Sequence, residues 1–218
     1  MRIVVTRPEG QESDLVEQLE RLGHTVLHCP LIAIEPIGSG PIDVGAYDWV
    51  VVTSANGARA LRARASGSMP RIAAIGGATA EAMGGADLVA SISTQEGLLA
   101  EFPRPAGRVL FAAAEGARTV LPDGLGADVV VLYRTTELRP ALLPAADIYV
   151  IASPSAARAL AAVATGASVV SIGPETSRAS REVGLDVVAE AKRHDTAGLV
   201  AAVTGLVGGG PTPSAPTS

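Results

Sequence analysis

The stretch Asp48–Leu61 reads DWVVVTSANGARAL, and Asp147–Leu160 reads DIYVIASPSAARAL. Superposed without a gap, they agree at seven of fourteen positions, including Asp48/Asp147, Ser54/Ser153 and the run from Ala58/Ala157 to Leu61/Leu160. Each opens on a short apolar run, passes through small hydroxyl-bearing residues, and enters a segment with helical spacing. The chain therefore writes one strand–turn–helix twice. The likeness extends outward in the same order. RIVVTRPEG from Arg2 aligns with RVLFAAAEG from Arg108 through Arg2/Arg108, Glu9/Glu115 and Gly10/Gly116. AAIGGAT (Ala73–Thr79) aligns with VSIGPET (Val170–Thr176), and EGLLA aligns with AGLVA through Gly97/Gly198. The offset stays at about a hundred residues, which marks duplication of a domain-sized unit rather than a solenoid.

The same alternation runs throughout. Strands are expected at Arg2–Thr6, Thr25–Leu27, Trp49–Thr53, Arg71–Ile75, Leu88–Ala90 and Arg108–Ala113. More follow at Val129–Tyr133, Ile148–Ala152, Val169–Ile172 and Val187–Val188. Between them lie helical patterns, such as Leu15, Leu19 and Leu22 on one face with Gly23 as a left-handed stop. Further helices are read at Glu96–Phe102, Thr119–Leu125, Ala156–Val163, Glu175–Val183 and Thr196–Leu206. The segment Cys29–Ile37 reads as extended and runs into Pro/Gly/Ser punctuation. Near-continuous apolar strands alternating with helices imply an α/β chain of parallel sheets covered on both faces.

Bulk numbers narrow the function. The 218 residues are 48% hydrophobic and 18% charged, enough apolar side chain for a globular core. Aromatics make up only 3% and the net charge is −5, which argues against nucleic-acid binding. Cys29 is the only cysteine, so no intramolecular disulfide and no multi-cysteine zinc site can form. The apolar run after Met1 is too short for a signal-peptide core, and no stretch reaches the length of a membrane span. The tail GGGPTPSAPTS, from Gly208 to Ser218, cannot pack a core and reads as disordered.

Five corners carry the candidate chemistry: Thr6-Arg7-Pro8, Thr53-Ser54-Ala55-Asn56-Gly57, Gly76-Gly77-Ala78-Thr79, Ser153-Pro154-Ser155 and Gly173-Pro174-Glu175-Thr176. In parallel α/β sheets, ligands bind beyond the carboxyl ends of strands, where helix N-termini present free N–H groups suited to anions. Capping alone selects the same residue types, so any single corner is explained without a ligand. Five corners at one end of the sheets point to a site. Dinucleotide, P-loop and nucleophile-elbow signatures are absent. His24, His28 and His194 are scattered, and no metal set is apparent. Arg59 and Arg158 recur at one place in both copies and read as solvated helix residues or carboxylate ligands. Tyr133, at the end of its expected strand, offers a phenol that could give a proton to a departing hydroxyl. Taken alone it reads as a junction tyrosine with a buried ring and a wet hydroxyl.

These pieces together resemble the uroporphyrinogen-III synthase family. The resemblance rests on Thr6–Pro8, CPLIAIEP (Cys29–Pro36), DWVVVTSANGARAL, AAIGGATAEAM and VLYRT (Val131–Thr135). It continues through DIYVIASPSAARAL, SIGPETSRASREVGL and HDTAGLVAAV, and so spans nearly the whole chain to about residue 205. It implies two Rossmann-like (flavodoxin-like) parallel-sheet domains joined by a two-stranded connector. One would combine residues 1–34 with 140–206, the other would be 37–135, and 207–218 would be a disordered tail. The implied reaction cyclises hydroxymethylbilane, a small polycarboxylate, to uroporphyrinogen III with loss of water and inversion of the terminal ring. It needs neither metal nor organic cofactor. Tyr133 would be the catalytic residue. Thr6, Arg7, Thr53, Ser54, Asn56, Gly57, Gly76, Thr79, Ser153, Ser155, Gly173 and Thr176 would bind substrate, on corners facing one interdomain cleft. A cytoplasmic monomer is implied, with the preceding deaminase of the pathway as a candidate partner and neither nucleic acid nor membrane. Two departures stand out: Ala113 where the family often has Arg, and Ala152 where the first copy has Thr53. They leave open an alternative, a degenerate synthase-like module that binds tetrapyrroles without catalysis.

Overall fold

The computed structural model describes residues 1–208. In chain order the elements are β1 (Arg2–Val5), α1 (Ser13–Arg21), β2 (Thr25–His28), β3 (Ile32–Pro36), β4 (Ile42–Asp43), β5 (Trp49–Val52) and α2 (Ala55–Arg62). Then come β6 (Ala65–Ser66), β7 (Arg71–Ala74), α3 (Gly77–Met83), β8 (Leu88–Val89), α4 (Gln95–Glu101), β9 (Val109–Ala114), α5 (Val120–Leu125) and β10 (Asp128–Glu137). The last are β11 (Ile148–Ile151), α6 (Pro154–Ala161), β12 (Ser168–Ser171), α7 (Pro174–Glu182), β13 (Asp186–Glu190) and α8 (Thr196–Gly208). The tail expected to be disordered lies, from Gly209 onward, outside the described residues, and α8 runs through Gly208 where an end at Leu206 was expected.

The chain divides into two compact units, one of Met1–Ala33 with the chain from Thr136 onward, the other of Ile34–Thr135. The first unit holds a sheet ordered β13-β12-β11-β1-β2, all parallel. The second holds β3-β10-β9-β5-β7-β8, parallel from β10 to β8. The edge strand β3 departs from the all-parallel expectation. Ile37 N–H bonds the Leu132 carbonyl and Leu138 N–H bonds the Leu31 carbonyl, the opposed order of an antiparallel pair. The small β4–β6 pair was not apparent from sequence, because two-residue strands leave no periodic signal.

The central strands explain themselves. Trp49, Val50, Val51 and Val52 of β5, like Ile148 to Ile151 of β11, are all buried, as strands covered on both faces must be. Alternate side chains feed opposite core layers. Ile3 and Val5 pack with Leu15, Leu19, Leu199 and Val203 of α1 and α8, while Val4 joins Ile151, Leu160 and Val169 on the other face. In the second unit Trp49 and Val51 join Phe102, Phe111 and Leu121, and Val50 and Val52 join Leu61, Met83 and Leu132. Each fully buried aliphatic side chain contributes roughly 1.5–3 kcal/mol.

Strand for strand, the two sheets carry the same repeat: β11 answers β5, β12 answers β7, and β1 answers β9. Each unit, however, mixes the two sequence copies. The opening aspartates show this at atomic level. Asp48 Oδ2 accepts the Arg108 N–H at 2.7 Å, and Asp147 Oδ2 accepts the Arg2 N–H at 2.7 Å. Their own N–H groups donate to the Arg108 and Arg2 carbonyls, each at 2.8 Å. Each aspartate thus ties the start of its strand to a strand written in the other copy. Asp48, Arg108 and the strands they begin all belong to the second unit; Asp147, Arg2 and theirs belong to the first.

Candidate functional site

Both units place their small-residue corners beyond the carboxyl ends of neighbouring parallel strands. In the second unit the strand order reverses between β5 and β9, the kind of point where a crevice opens in doubly wound sheets. The turn after β5 is Thr53–Ser54. Ser54 is extended and its Oγ accepts the Gly57 N–H at 2.9 Å, capping α2 as its sequence position requires. The same oxygen lies 2.8 Å from the Tyr133 hydroxyl.

Tyr133 reaches this corner through an irregularity that the sequence did not announce. Its strand does not end there, as expected, but continues to Glu137. Between Val131 and Tyr133 the pairing of β10 with β9 shifts register. Strict alternation would send the consecutive residues Leu132 and Tyr133 to opposite faces; the shift buries both in one core cluster. The Glu115 N–H then fastens the Tyr133 carbonyl at 2.8 Å. Gly57 leaves the cap oxygen unpressed: a Cβ there would stand 3.2 Å from Ser54 Oγ, while the Tyr133 ring, at 3.7 Å from Cε1, would remain in ordinary contact. Tyr133 is only 5% exposed, and burial pushes its phenol above the usual tyrosine range, while the Ser54 hydrogen bond pulls the other way. At neutral pH the phenol is protonated. Thr53, Ser54 and Asn56 around it are each partly exposed, and Asn56 Oδ1 accepts the Arg59 guanidinium at 3.1 Å.

The next corner, after β7, holds Gly76 and Thr79. Gly76 caps α3 with its backbone alone, and Thr79 is buried in the first turn. In the first unit Ser153 repeats the Ser54 cap, accepting the Ala156 N–H at 3.2 Å, and Ser155 lies partly exposed in the same turn. Gly173 begins α7, and Thr176 is buried one turn on. Gly76 and Gly173 answer the same steric demand. A Cβ on Gly76 would meet Ser93 Oγ at 3.0 Å, and one on Gly173 would meet the His194 ring at 2.8 Å. Thr6 is fully buried with its hydroxyl donating to the Val150 carbonyl at 2.9 Å, which gives it a complete structural role. Arg7 donates to the Gln11 carbonyl and to Thr196 Oγ1, and its own carbonyl is bonded by His28 Nε2 at 2.9 Å.

The structure thus joins Ser54 to both Gly57 and Tyr133 by hydrogen bonds, keeps Thr53 and Asn56 on the same corner, and sets the remaining candidates on other corners. Ala113, which stands where the family often carries a cation, is buried in the core of β9, so in this chain the position is a packing one. Ala152 is partly exposed in the turn before Ser153. Sequence reading passed over Asp195, whose Oδ1 caps the start of α8 through the Gly198 N–H at 2.8 Å. Its signal was the Asp three residues before a glycine shared by both copies, where Thr94 caps Gly97 in the other. Among the described residues no three His, Cys, Asp or Glu side chains gather as metal ligands, and no helix is long and apolar enough to cross a membrane.

Comparison with known proteins bears on this geometry. The family model described as uroporphyrinogen-III synthase HemD matches residues 13–201. A uroporphyrinogen-III synthase of Synechococcus elongatus is 27% identical over 246 aligned residues, covering 92% of this chain and 93% of that protein. The solved uroporphyrinogen-III synthetase of Helicobacter pylori superposes with a TM-score of 0.61 at 17% identity, over 94% of this chain and 100% of that one. A mutant uroporphyrinogen III synthase of Thermus thermophilus gives a TM-score of 0.57 at 16% identity, over 95% and 97%. At these identities the structural likeness is one of fold.

Proposed function

The chain belongs to the uroporphyrinogen-III synthase family, and on that premise we propose that it closes hydroxymethylbilane to uroporphyrinogen III, with loss of water and inversion of the terminal ring. The observation that carries this reading is the Tyr133 hydroxyl at the switch point of a parallel sheet, protonated at neutral pH and held by a helix-capping serine. In the proposed step the terminal C–O bond breaks, Tyr133 gives its proton to the departing hydroxyl, and water leaves. The pyrrole nitrogen supplies the electron pair that stabilises the carbon left behind. Ring closure ends with loss of a proton from carbon, which restores the phenol, so the sum is one water lost. The rest of the work is conformational: a flexible chain must be held in one folded shape, and orientation of that kind lowers barriers without strong acid–base pairs.

The substrate's carboxylates fit N–H groups at capped helix starts, even on a chain of net charge −5. Thr53, Asn56, Ser153, Ser155, Gly76, Thr79, Gly173 and Thr176 stand at such starts and are proposed as binding residues. Thr6 contributes by fixing β1 against β11, and Arg7 by holding the turn after β1. Location in the cytoplasm, a monomeric state and encounter with the preceding deaminase are part of this proposal. So is a reaction that runs without added cofactor.

The test is to supply freshly made hydroxymethylbilane to the purified chain and separate the isomers. Type III product above the spontaneous type I background is expected. Type I alone would reject catalysis, and tetrapyrrole binding without it would leave the non-catalytic module. Tyr133→Phe should lower the rate of type III formation by about a hundredfold or more, the usual worth of a positioned proton donor.

A further inference from the structure

The two copies of the opening stretch differ at one point of chemistry. Ser54 and Ser153 occupy the same place and make the same cap bond. Among the described residues, the Ser153 hydroxyl makes no other hydrogen bond, whereas the Ser54 hydroxyl also meets that of Tyr133 at 2.8 Å. The difference is built on the strand that faces each helix start. Gly57 takes the place of Ala156; a Cβ there would be in ordinary contact with the Tyr133 ring at 3.7 Å and tighter against Ser54 Oγ at 3.2 Å, so what it would press is the cap rather than the ring. Leu132 carries, through the Ile37 N–H, the bond that Leu31 carries through the Leu138 N–H, so Ile32 holds the place that Tyr133 holds beside the other helix. Isoleucine offers a serine nothing to bond.

We propose that Ser54 is a positioning residue for Tyr133, its Oγ anchored by the Gly57 N–H and its proton donated to the phenolate oxygen left when Tyr133 gives up its own. This rests on the reading of Tyr133 as the proton donor. The serine oxygen already accepts one N–H, which fixes where its own O–H and remaining lone pair can point. With the phenol protonated, either oxygen can donate to the other. Once the proton moves to the departing hydroxyl, only Ser54 can donate, and a hydrogen bond to a charged oxygen is stronger than one between neutral groups. The charged groups near Tyr133 along its own strands are otherwise engaged: Arg134 Nε lies 3.9 Å from Glu35 and 4.0 Å from Glu115, and on α2 Arg59 bonds Asn56. Ser54 is thus the group placed to stabilise the phenolate. Substrate binding through Ser54, expected from sequence, is then secondary to this role.

The test uses Ser54→Gly and Ser54→Thr in the full chain. Glycine at a helix start loses only a few tenths of a kcal/mol relative to serine, so the first variant removes the hydroxyl and keeps the fold, which circular dichroism checks. Threonine keeps the hydroxyl. The chain has three tyrosines, Tyr47, Tyr133 and Tyr149, and the near-ultraviolet titration difference against Tyr133→Phe isolates the middle one. Ser54→Gly should move the ionisation of Tyr133 to higher pH and Ser54→Thr should leave it in place. With hydroxymethylbilane, Ser54→Gly should lower kcat by roughly ten- to a hundredfold, the worth of one hydrogen bond to a charged group, with KM little changed, and threonine should restore it. An unchanged Tyr133 titration in Ser54→Gly would overturn the proposal. The titration needs no substrate, so it stands apart from the assignment of function. If Tyr133→Phe turned over normally, the acid role would fall while the coupling of Ser54 to Tyr133 was still measured.

Discussion

Gly198→Ala and Gly205→Ala make the same change in one helix and should have opposite effects. Both glycines lie in α8. Around Gly205 no atom would come within 4 Å of an added Cβ, and the residue is exposed. Alanine there should stabilise the helix by about 0.5 kcal/mol, toward the low end of the propensity difference because the helix end is near. At Gly198 the added Cβ would stand 1.9 Å from the Arg193 carbonyl oxygen and 2.8 Å from its carbon. That carbonyl must retreat by about 1.5 Å before ordinary contact is reached. It belongs to the loop that carries Asp195, whose carboxylate caps the Gly198 N–H at 2.8 Å and binds Arg193 Nε at 3.0 Å. Loss of the cap costs about 1 kcal/mol and forced repacking about 1–3 kcal/mol, against about 1 kcal/mol returned by alanine's helix propensity. The next residue, Leu199, is fully buried, so the helix cannot simply slide away. The net expectation is a loss of about 1–3 kcal/mol. Urea unfolding followed by far-ultraviolet circular dichroism should show a lower midpoint for Gly198→Ala, a slightly higher one for Gly205→Ala, and the same slope for both. Equal midpoints for the two variants would refute the idea that close approach of the loop fixes the glycine.

Asp147→Ala removes the acceptor of the Arg2 N–H at the start of β1, and Asp48→Ala does the same for Arg108. Each should cost about 1 kcal/mol in thermal or urea unfolding. Gly57→Ala presses a methyl against Ser54 Oγ at 3.2 Å and should lower type III synthesis more than it lowers the melting temperature. For Asp195, burial alone would raise the carboxyl, but the Gly198 N–H and the Arg193 guanidinium overcome it and hold the group below its usual range. A depressed folded value means stability that is present above the unfolded pKa and is lost as pH falls through the folded one. The Asp195→Asn variant should therefore lose stability at neutral pH and show a flatter acid limb than the parent chain.

How far the sequence could be read depends on the distance over which each feature is decided. Ser54 and Ser153 were legible as caps, because a cap is settled within four residues of chain. The buried strands β5 and β11 were legible because burial on both faces demands an unbroken apolar run. The shared glycines were visible as identities, but their cause was not. Gly97 and Gly198 are held by loop carbonyls from Ile92 and Arg193 that fold back over the helix start. Tyr133 was visible as a candidate and misplaced at a strand end. The register shift that turns it toward Ser54 arises in the pairing of β10 with β9, and no local pattern encodes it. The partners of Asp48 and Asp147 were equally hidden, since each lies in the other copy of the repeat.

By itself, then, the sequence determined which segments become strands and helices, where the helices start, and that one unit was written twice. Those features follow from periodicity, capping and backbone freedom, which act between neighbours. Only the tertiary structure decided which strands pair and that one serine of the repeated pair meets a tyrosine while the other does not. Pairing partners are chosen by long-range burial and hydrogen bonding, in which Val52 beside Ala112 and Ile3 beside Ile148 weigh as heavily as any local preference. Duplicated strands with near-identical apolar runs look interchangeable until the whole core is assembled. The residue facing each helix start, Tyr133 on β10 and Ile32 on β3, then determines which serine meets a phenol.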